Sequence, residues 1–407
     1  MLKKNKLQYL VCSLMLVLFT ASCSKDNDTD NGGSEQGKEQ YVSVAPAASL
    51  TKAQLQVAAS ASGFGAFTSA LQYDVDYFKL TYNTTFNGKT IQASGLVGIP
   101  KNMTAAPAIL SAQHGTMFAD ADAPSNFPAS STGFELFASA GFVTVIPDFI
   151  GFGVSKDIIH PYYDMQSSGI AVVDMIKAVK YYLKSQSKSV SSKLFLIGYS
   201  EGGYVTMAAQ REIETNSSHG LTVTAAAEGA GGYDITGMLA KIGTATTYPS
   251  PSFFSIFIQS YNSLYGFNRR LDEYFNDTYA AKINSLLDGS KNGTQINNEL
   301  TTNLTGTNGL FNPTFFAALN NASAEPAFKA KVAANSFPNW APKSQTRLYH
   351  GTADADVFYE TTQNTYNRFI AAGATSVTLK PITGGTHATS VVPMISDALP
   401  WFILQAQ

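Results

Sequence analysis

The chain has 407 residues, 44% of them apolar and only 14% charged, with a formal net charge of −2. A near-neutral balance argues against a nucleic-acid groove or a polybasic membrane patch, so no nucleic-acid partner is expected. The length exceeds what one ordinary core holds, which implies one large domain with insertions or two domains.

The first residues look like an address rather than a fold. MLKKNKLQYLVCSLMLVLFTASC places three lysines before an apolar run from Leu7 to Phe19 and ends on small residues and a cysteine, the layout of a secretory signal over residues 1–22. The run is too short and wrongly flanked for a transmembrane helix. Thr20-Ala21-Ser22-Cys23 resembles a bacterial lipobox, with Thr20 where leucine is usual. That resemblance implies that Cys23 becomes the acylated first residue of the mature chain, and that the only membrane contact is this anchor. Residues 23–45 are polar, Gly-containing and unpatterned, and are expected to be a solvated tether. Within them Lys25-Asp26-Asn27-Asp28 resembles the acidic export signal of Bacteroidetes-type lipoproteins. The implied location is the outer membrane of a Gram-negative bacterium, on its periplasmic side or, by the acidic stretch, on the cell surface.

Cys12 and Cys23 are the only cysteines, so the folded part has neither a disulfide framework nor thiolate chemistry. From residue 74, DVDYFKLTYNTTFNGKTIQASGLVGIP predicts a hairpin turning at Asn87-Gly88. Short apolar runs follow: AILSAQ, FVTVIPDF, LFLIG, TAAAEGA, RLYHG and SVTLKPI. Such runs suit strands buried on both faces of a parallel sheet. Between them, SSGIAVVDMIKAVKYYLK aligns Val172, Ile176, Val179 and Leu183 on one helical face. VFYETTQNTYNRFIAAG ends at a glycine, as a helix does. The pattern predicts an α/β fold with a mostly parallel sheet flanked by helices.

Residues 238–343 break this rhythm. They lack buried-strand runs and are rich in Asn, Thr and aromatics. A helical cap or lid insertion is expected there, since insertions near strand carboxyl ends tend to shape the ligand site. The core is then 46–237 with 344–407.

Gly198-Tyr199-Ser200-Glu201-Gly202-Gly203 lies between the strand LFLIG and a helix GGYVTMAAQREIE, where a nucleophile on a sharp strand-to-helix turn belongs. A serine hydroxyl needs a base. Of five histidines, only His387, among the small residues of TGGTHATS after the last strand, is placed to reach over the sheet edge. Asp354 and Asp356, in the loop after RLYHG, are the candidate acids. No HExxH, Cys/His cluster or phosphate loop occurs, so neither metal nor cofactor is expected.

The elbow, the loop His350-Gly351-Thr352-Ala353-Asp354-Ala355-Asp356-Val357 and Gly385-Thr386-His387 resemble the nucleophile, acid and base segments of α/β-hydrolases. Gln113-His114-Gly115-Thr116, IPDFIGFGVS and His160-Pro161-Tyr162 resemble, more narrowly, the secretory lipase and esterase branch. The resemblance implies Ser200 as nucleophile, His387 as base and Asp354, rather than Asp356, as acid. It further implies an oxyanion hole formed by the backbone N–H groups of Glu201 and Thr116. The expected activity is hydrolysis of carboxylic esters, of lipids or of acylated glycans, through an acyl-enzyme. A serine peptidase of the same fold, with Glu201 or a cap acid binding a substrate amine, is the rival within enzymes. A binding module that lost its chemistry is the rival outside them.

Overall fold

The computed structural model describes residues 36–407. The expected signal 1–22, the acylation site Cys23 and the Lys25-Asp26-Asn27-Asp28 stretch lie outside them. Strand β1 (Tyr41–Leu50) pairs antiparallel with β2 (Val75–Phe86) from Tyr41 opposite Tyr82 to Leu50 opposite Val75. Residues 41–45, expected to belong to the tether, are therefore sheet. Ladder bonds order this half-exposed, Ala- and Pro-containing segment although it carries no apolar run. The turn from β2 into β3 (Lys89–Pro100) has positive φ at both Asn87 (48°) and Gly88 (71°), the geometry an Asn-Gly hairpin supplies.

The remaining strands are β4 (Ala108–Gln113), β5 (Phe142–Pro147), β6 (Leu194–Tyr199), β7 (Ala225–Gly229), β8 (Gln345–Gly351) and β9 (Val377–Ile382). They match the apolar runs to within a few residues. Among the described residues they form one nine-stranded sheet of order β1-β2-β3-β5-β4-β6-β7-β8-β9. Pairing is antiparallel from β1 to β5 and parallel from β5 to β9.

Helices α1 (Lys52–Ala61) and α2 (Leu136–Ser139) precede the two long helices, α3 (Met165–Ser185) and α4 (Glu201–Thr215). On α3, Val172, Ile176, Val179 and Leu183 are buried as the spacing predicts, in a cluster with Leu196 of β6 and Val205 of α4. Asp174 of the same helix is buried as well, and Thr84 donates to it at 2.9 Å. The other sheet face packs Phe195, Ile197 and Tyr349 against Leu399 and Phe402.

Between β7 and β8 lie α5 (Ile235–Ile242), α6 (Pro251–Leu264), α7 (Asp277–Leu286), α8 (Gly293–Glu299), α9 (Pro313–Leu319) and α10 (Pro326–Ala334). The aromatics of this insertion are its core: Tyr274, Phe275, Phe311 and Phe315 are buried together and merge with Tyr204 and Met207 of α4. Polar contacts hold it to the rest, two seams among them. Tyr261 donates to the Tyr163 carbonyl at 3.1 Å, and Tyr265 to Asp164 at 2.6 Å. Tyr248 donates to the Asp356 carbonyl at 2.7 Å, and Ser250 to the Asp356 carboxylate. Helices α11 (Tyr359–Ala371) and α12 (Val391–Ala406) complete the chain. No helix among the described residues is long and apolar enough to cross a membrane.

Candidate active site

Ser200 sits between β6 and α4 with φ 61° and ψ −127°, a conformation an L-residue holds only when its surroundings impose it. The flanking glycines explain how. A side chain at Gly198 would stand 2.1 Å from the Gly202 carbonyl, and one at Gly202 would stand 2.0 Å from the Gln113 carbonyl. Only bare backbone lets the turn close this tightly against β4. The turn is then fastened by the Ser200 amide, which donates to the Gly229 carbonyl at 2.8 Å.

Three loops at the carboxyl ends of the strands converge there. His387 Nδ1 lies 2.7 Å from Asp354 Oδ2, and its Nε2 lies 2.8 Å from Ser200 Oγ. A carboxylate only accepts, so Nδ1 carries the proton and the Nε2 lone pair faces the serine hydroxyl. Asp354 is the aspartate brought to His387. Asp356 is not, since its carboxylate accepts from Ser250 of the insertion.

Asp354 is held on every side. Its Oδ1 accepts from the amides of Asp356 and Val357, each at 2.9 Å, and a second histidine, His350, approaches Oδ2 at 3.2 Å. Burial alone would raise its pKa, but the hydrogen bonds and charges of His350 and His387 outweigh that and hold the carboxyl well below the usual carboxylate range. His350 is fully buried, with Nε2 2.7 Å from the Val357 carbonyl and Nδ1 2.7 Å from the Thr362 hydroxyl. Its Nε2 must therefore be the protonated nitrogen, and it points at two acceptors. The sequence marked His350 only as the end of a strand. Tyr199 adds a further support by donating to the His387 carbonyl at 2.7 Å.

Of the expected oxyanion donors, Glu201 opens α4, where the first amides have no partner within the helix. Thr116 follows Gly115, whose added Cβ would lie 3.6 Å from Ser200 Cβ. The Thr116 hydroxyl is 2.9 Å from that of Tyr162. The Glu201 side chain is 1% exposed, and its Oε1 lies 2.6 Å from His160 Nε2. A carboxylate so placed is not available to hold a substrate amine, which leaves an acid of the insertion as the only remaining support for the peptidase rival. His114 is buried with Nδ1 2.7 Å from the Gly115 carbonyl of the same loop.

A small apolar pocket opens between the core and the insertion, walled by Tyr162, Leu239, Tyr248, Phe253, Phe254 and Val357. Two of its walls are bonded to the loops around the serine. Tyr162 bonds Thr116, and the Val357 amide bonds Asp354.

A nine-stranded, mostly parallel sheet with a serine raised at the end of β6 is that of an α/β-hydrolase, and the chain is a carboxylic ester hydrolase. A family model described as secretory lipase matches residues 128–405; the chain belongs to that family. Among solved structures, one from Legionella pneumophila is 22% identical with TM-score 0.81, over 90% of this chain and 98% of that one. The rice cell wall degrading esterase LipA from Xanthomonas oryzae is 23% identical with TM-score 0.75, over 91% and 97%. Candida antarctica lipase A is 21% identical with TM-score 0.64, over 93% and 83%. At these identities the likeness is one of fold. No curated protein sequence matches the chain.

Proposed function

We propose that Ser200, His387 and Asp354 are the nucleophile, base and acid of a cofactor-independent hydrolase that forms an acyl-enzyme on lipid esters or on acyl groups of glycans. The observation that carries this reading is the continuous run of hydrogen bonds from Asp354 through His387 to Ser200, at 2.7 and 2.8 Å. Ser200 Oγ attacks the ester carbonyl while His387 Nε2 takes its proton. The same nitrogen then protonates the leaving alcohol, and Asp354 fixes the tautomer and stabilises the imidazolium. Water repeats the sequence on the acyl-enzyme. The backbone N–H groups of Glu201 and Thr116 receive the developing oxyanion, each worth about 3 kcal/mol in the transition state.

Residues 46–237 and 344–407, extended at the front by β1, form the catalytic core, and 238–343 act as its cap. The cavity beneath α6 receives the acyl group; its apolar walls favour alkyl or aromatic acyl chains over charged ones. Membership of a secretory family supports export. The N-terminus then anchors the enzyme through acylated Cys23 to the outer membrane, facing outward.

The test is a p-nitrophenyl ester panel from acetyl to palmitoyl, run with Ser200→Ala and His387→Ala. Turnover that falls by about 10⁶-fold in either variant is expected. A flat, inactive panel, or peptide cleavage with negligible ester turnover, overturns the reading.

A further inference from the structure

The residue after Ser200 is an acid. Its backbone N–H is proposed to receive negative charge, while its own carboxylate is buried one residue from where that charge develops. An unpaired anion there opposes catalysis, because like charges repel strongly where water is excluded. We infer that His160, held as an imidazolium, is the counter-ion that neutralises Glu201 and so protects the oxyanion hole. This inference rests on the ester-hydrolase reading above.

The hydrogen-bond partners set the proton count. His160 Nδ1 faces the Ile150 carbonyl at 2.6 Å and Nε2 faces Glu201 Oε1 at 2.6 Å. A carbonyl only accepts, so Nδ1 is protonated. A proton on Nε2 as well makes both ring nitrogens donors to good acceptors, which is the charged form. Burial by itself would drive that proton off, yet the charge and hydrogen bond of Glu201, with the Ile150 carbonyl, raise the imidazole above its ordinary value.

The other titratable neighbours do not replace His160. His114 is kept neutral by burial, and its Nε2 has no partner among the described residues. Asp148, engaged by Ser94 and the Ser125 amide, adds negative charge rather than removing it. Burial keeps Tyr162 and Tyr163 un-ionised. On its outer side His160 borders an open pocket rimmed by Lys156, Asp120, Asp157 and Asp288, again more acid than base. Among the described residues Glu201 Oε2 is buried without a partner, so His160 is the side chain that supplies its counter-charge.

His160 is therefore a positioning residue that acts through Glu201. Above its folded pKa the pair carries one negative charge and turnover declines, which gives an alkaline limb to the kcat profile.

His160→Gln keeps an N–H toward Glu201 but removes the positive charge. With p-nitrophenyl butyrate its kcat is expected to fall about 100-fold, and KM by less than about threefold either way. Adding Glu201→Gln to His160→Gln removes the orphaned charge and recovers kcat at least about tenfold over the single variant. Recovery is the outcome that a merely structural histidine does not produce. A His160→Gln enzyme within twofold of the parent, or a double variant no better than the single one, sinks the inference. Should His160→Gln fail to fold by circular dichroism, the kcat profile of Glu201→Gln decides: loss of the alkaline limb supports the inference, and an unchanged limb overturns it. Phosphonate labelling of Ser200 separates the two levels. An unlabelled, inactive parent refutes the ester-hydrolase reading itself, whereas a labelled, active parent with an indifferent His160→Gln refutes only this step.

Discussion

Two buried histidine–carboxylate pairs flank Ser200, and they are built on opposite plans. On the acid-loop side, Asp354 collects two backbone amides and two histidines, so its charge is supported by four donors. On the elbow side, Glu201 has among the described residues one side-chain donor, His160, and an oxygen with none. In the mechanism proposed above, the first pair can lose a proton from His387 in every catalytic cycle because the aspartate remains satisfied. The second has no such reserve and must keep its proton. Redundant hydrogen bonding thus marks the carboxylate whose partner titrates, and a single strong contact marks the one whose partner should not.

The comparison can be broken at several places. The largest effect is expected from Asp354→Asn, which leaves the shape intact but offers His387 the wrong tautomer; kcat/KM should fall about 10⁴-fold. A loss under tenfold would mean that Asp354 does not orient the base. Next is His350. His350→Leu, which removes the rear donor, should cost about 10–100-fold, while His350→Gln, which can keep an N–H near Nε2, should cost less. Equal losses would show that His350 only fills space.

Stability responds to pH through the same residue. The folded pKa of Asp354 is depressed, so the stability it adds is complete above the unfolded carboxylate range near pH 4 and is lost as pH falls below it. Urea unfolding of the parent and Asp354→Asn should therefore differ more at pH 7 than at pH 3. A constant gap would detach that stability from ionisation.

The smallest effect has the opposite sign. Glu228 on β7 is fully buried, with neither carboxylate oxygen partnered among the described residues, and burial, aided by the Glu214 charge, pushes its pKa far above the usual value. Its folded form is neutral while its unfolded form ionises, so stability declines as pH rises from the unfolded value toward the folded one. Glu228→Gln should raise the melting temperature more at pH 8 than at pH 5. No difference between the two would mean the carboxyl has found a partner.

Most of the sheet was legible because strands buried on both faces must be nearly continuous in apolar residues, and LFLIG and FVTVIP are. β1 was not, because an edge strand needs no such run. Ser200, His387 and Asp354 could be picked out because short flanking motifs carry their geometry. The His160–Glu201 bond could not, since it joins residues 41 apart and neither sits in a pattern that names the other. The insertion announced itself by composition, but which tyrosine meets which backbone carbonyl depends on tertiary packing that no spacing encodes.

The seam between the insertion and the acid loop has a kinetic consequence. Tyr248 and Ser250 grip Asp356, two residues from Asp354, while Tyr261 and Tyr265 grip the stretch before α3. A flap that swung open at an oil–water boundary would drag Asp354 away from His387. Progress curves should therefore rise from time zero without a lag, and rates on a soluble ester should show no sudden jump as its concentration passes the solubility limit.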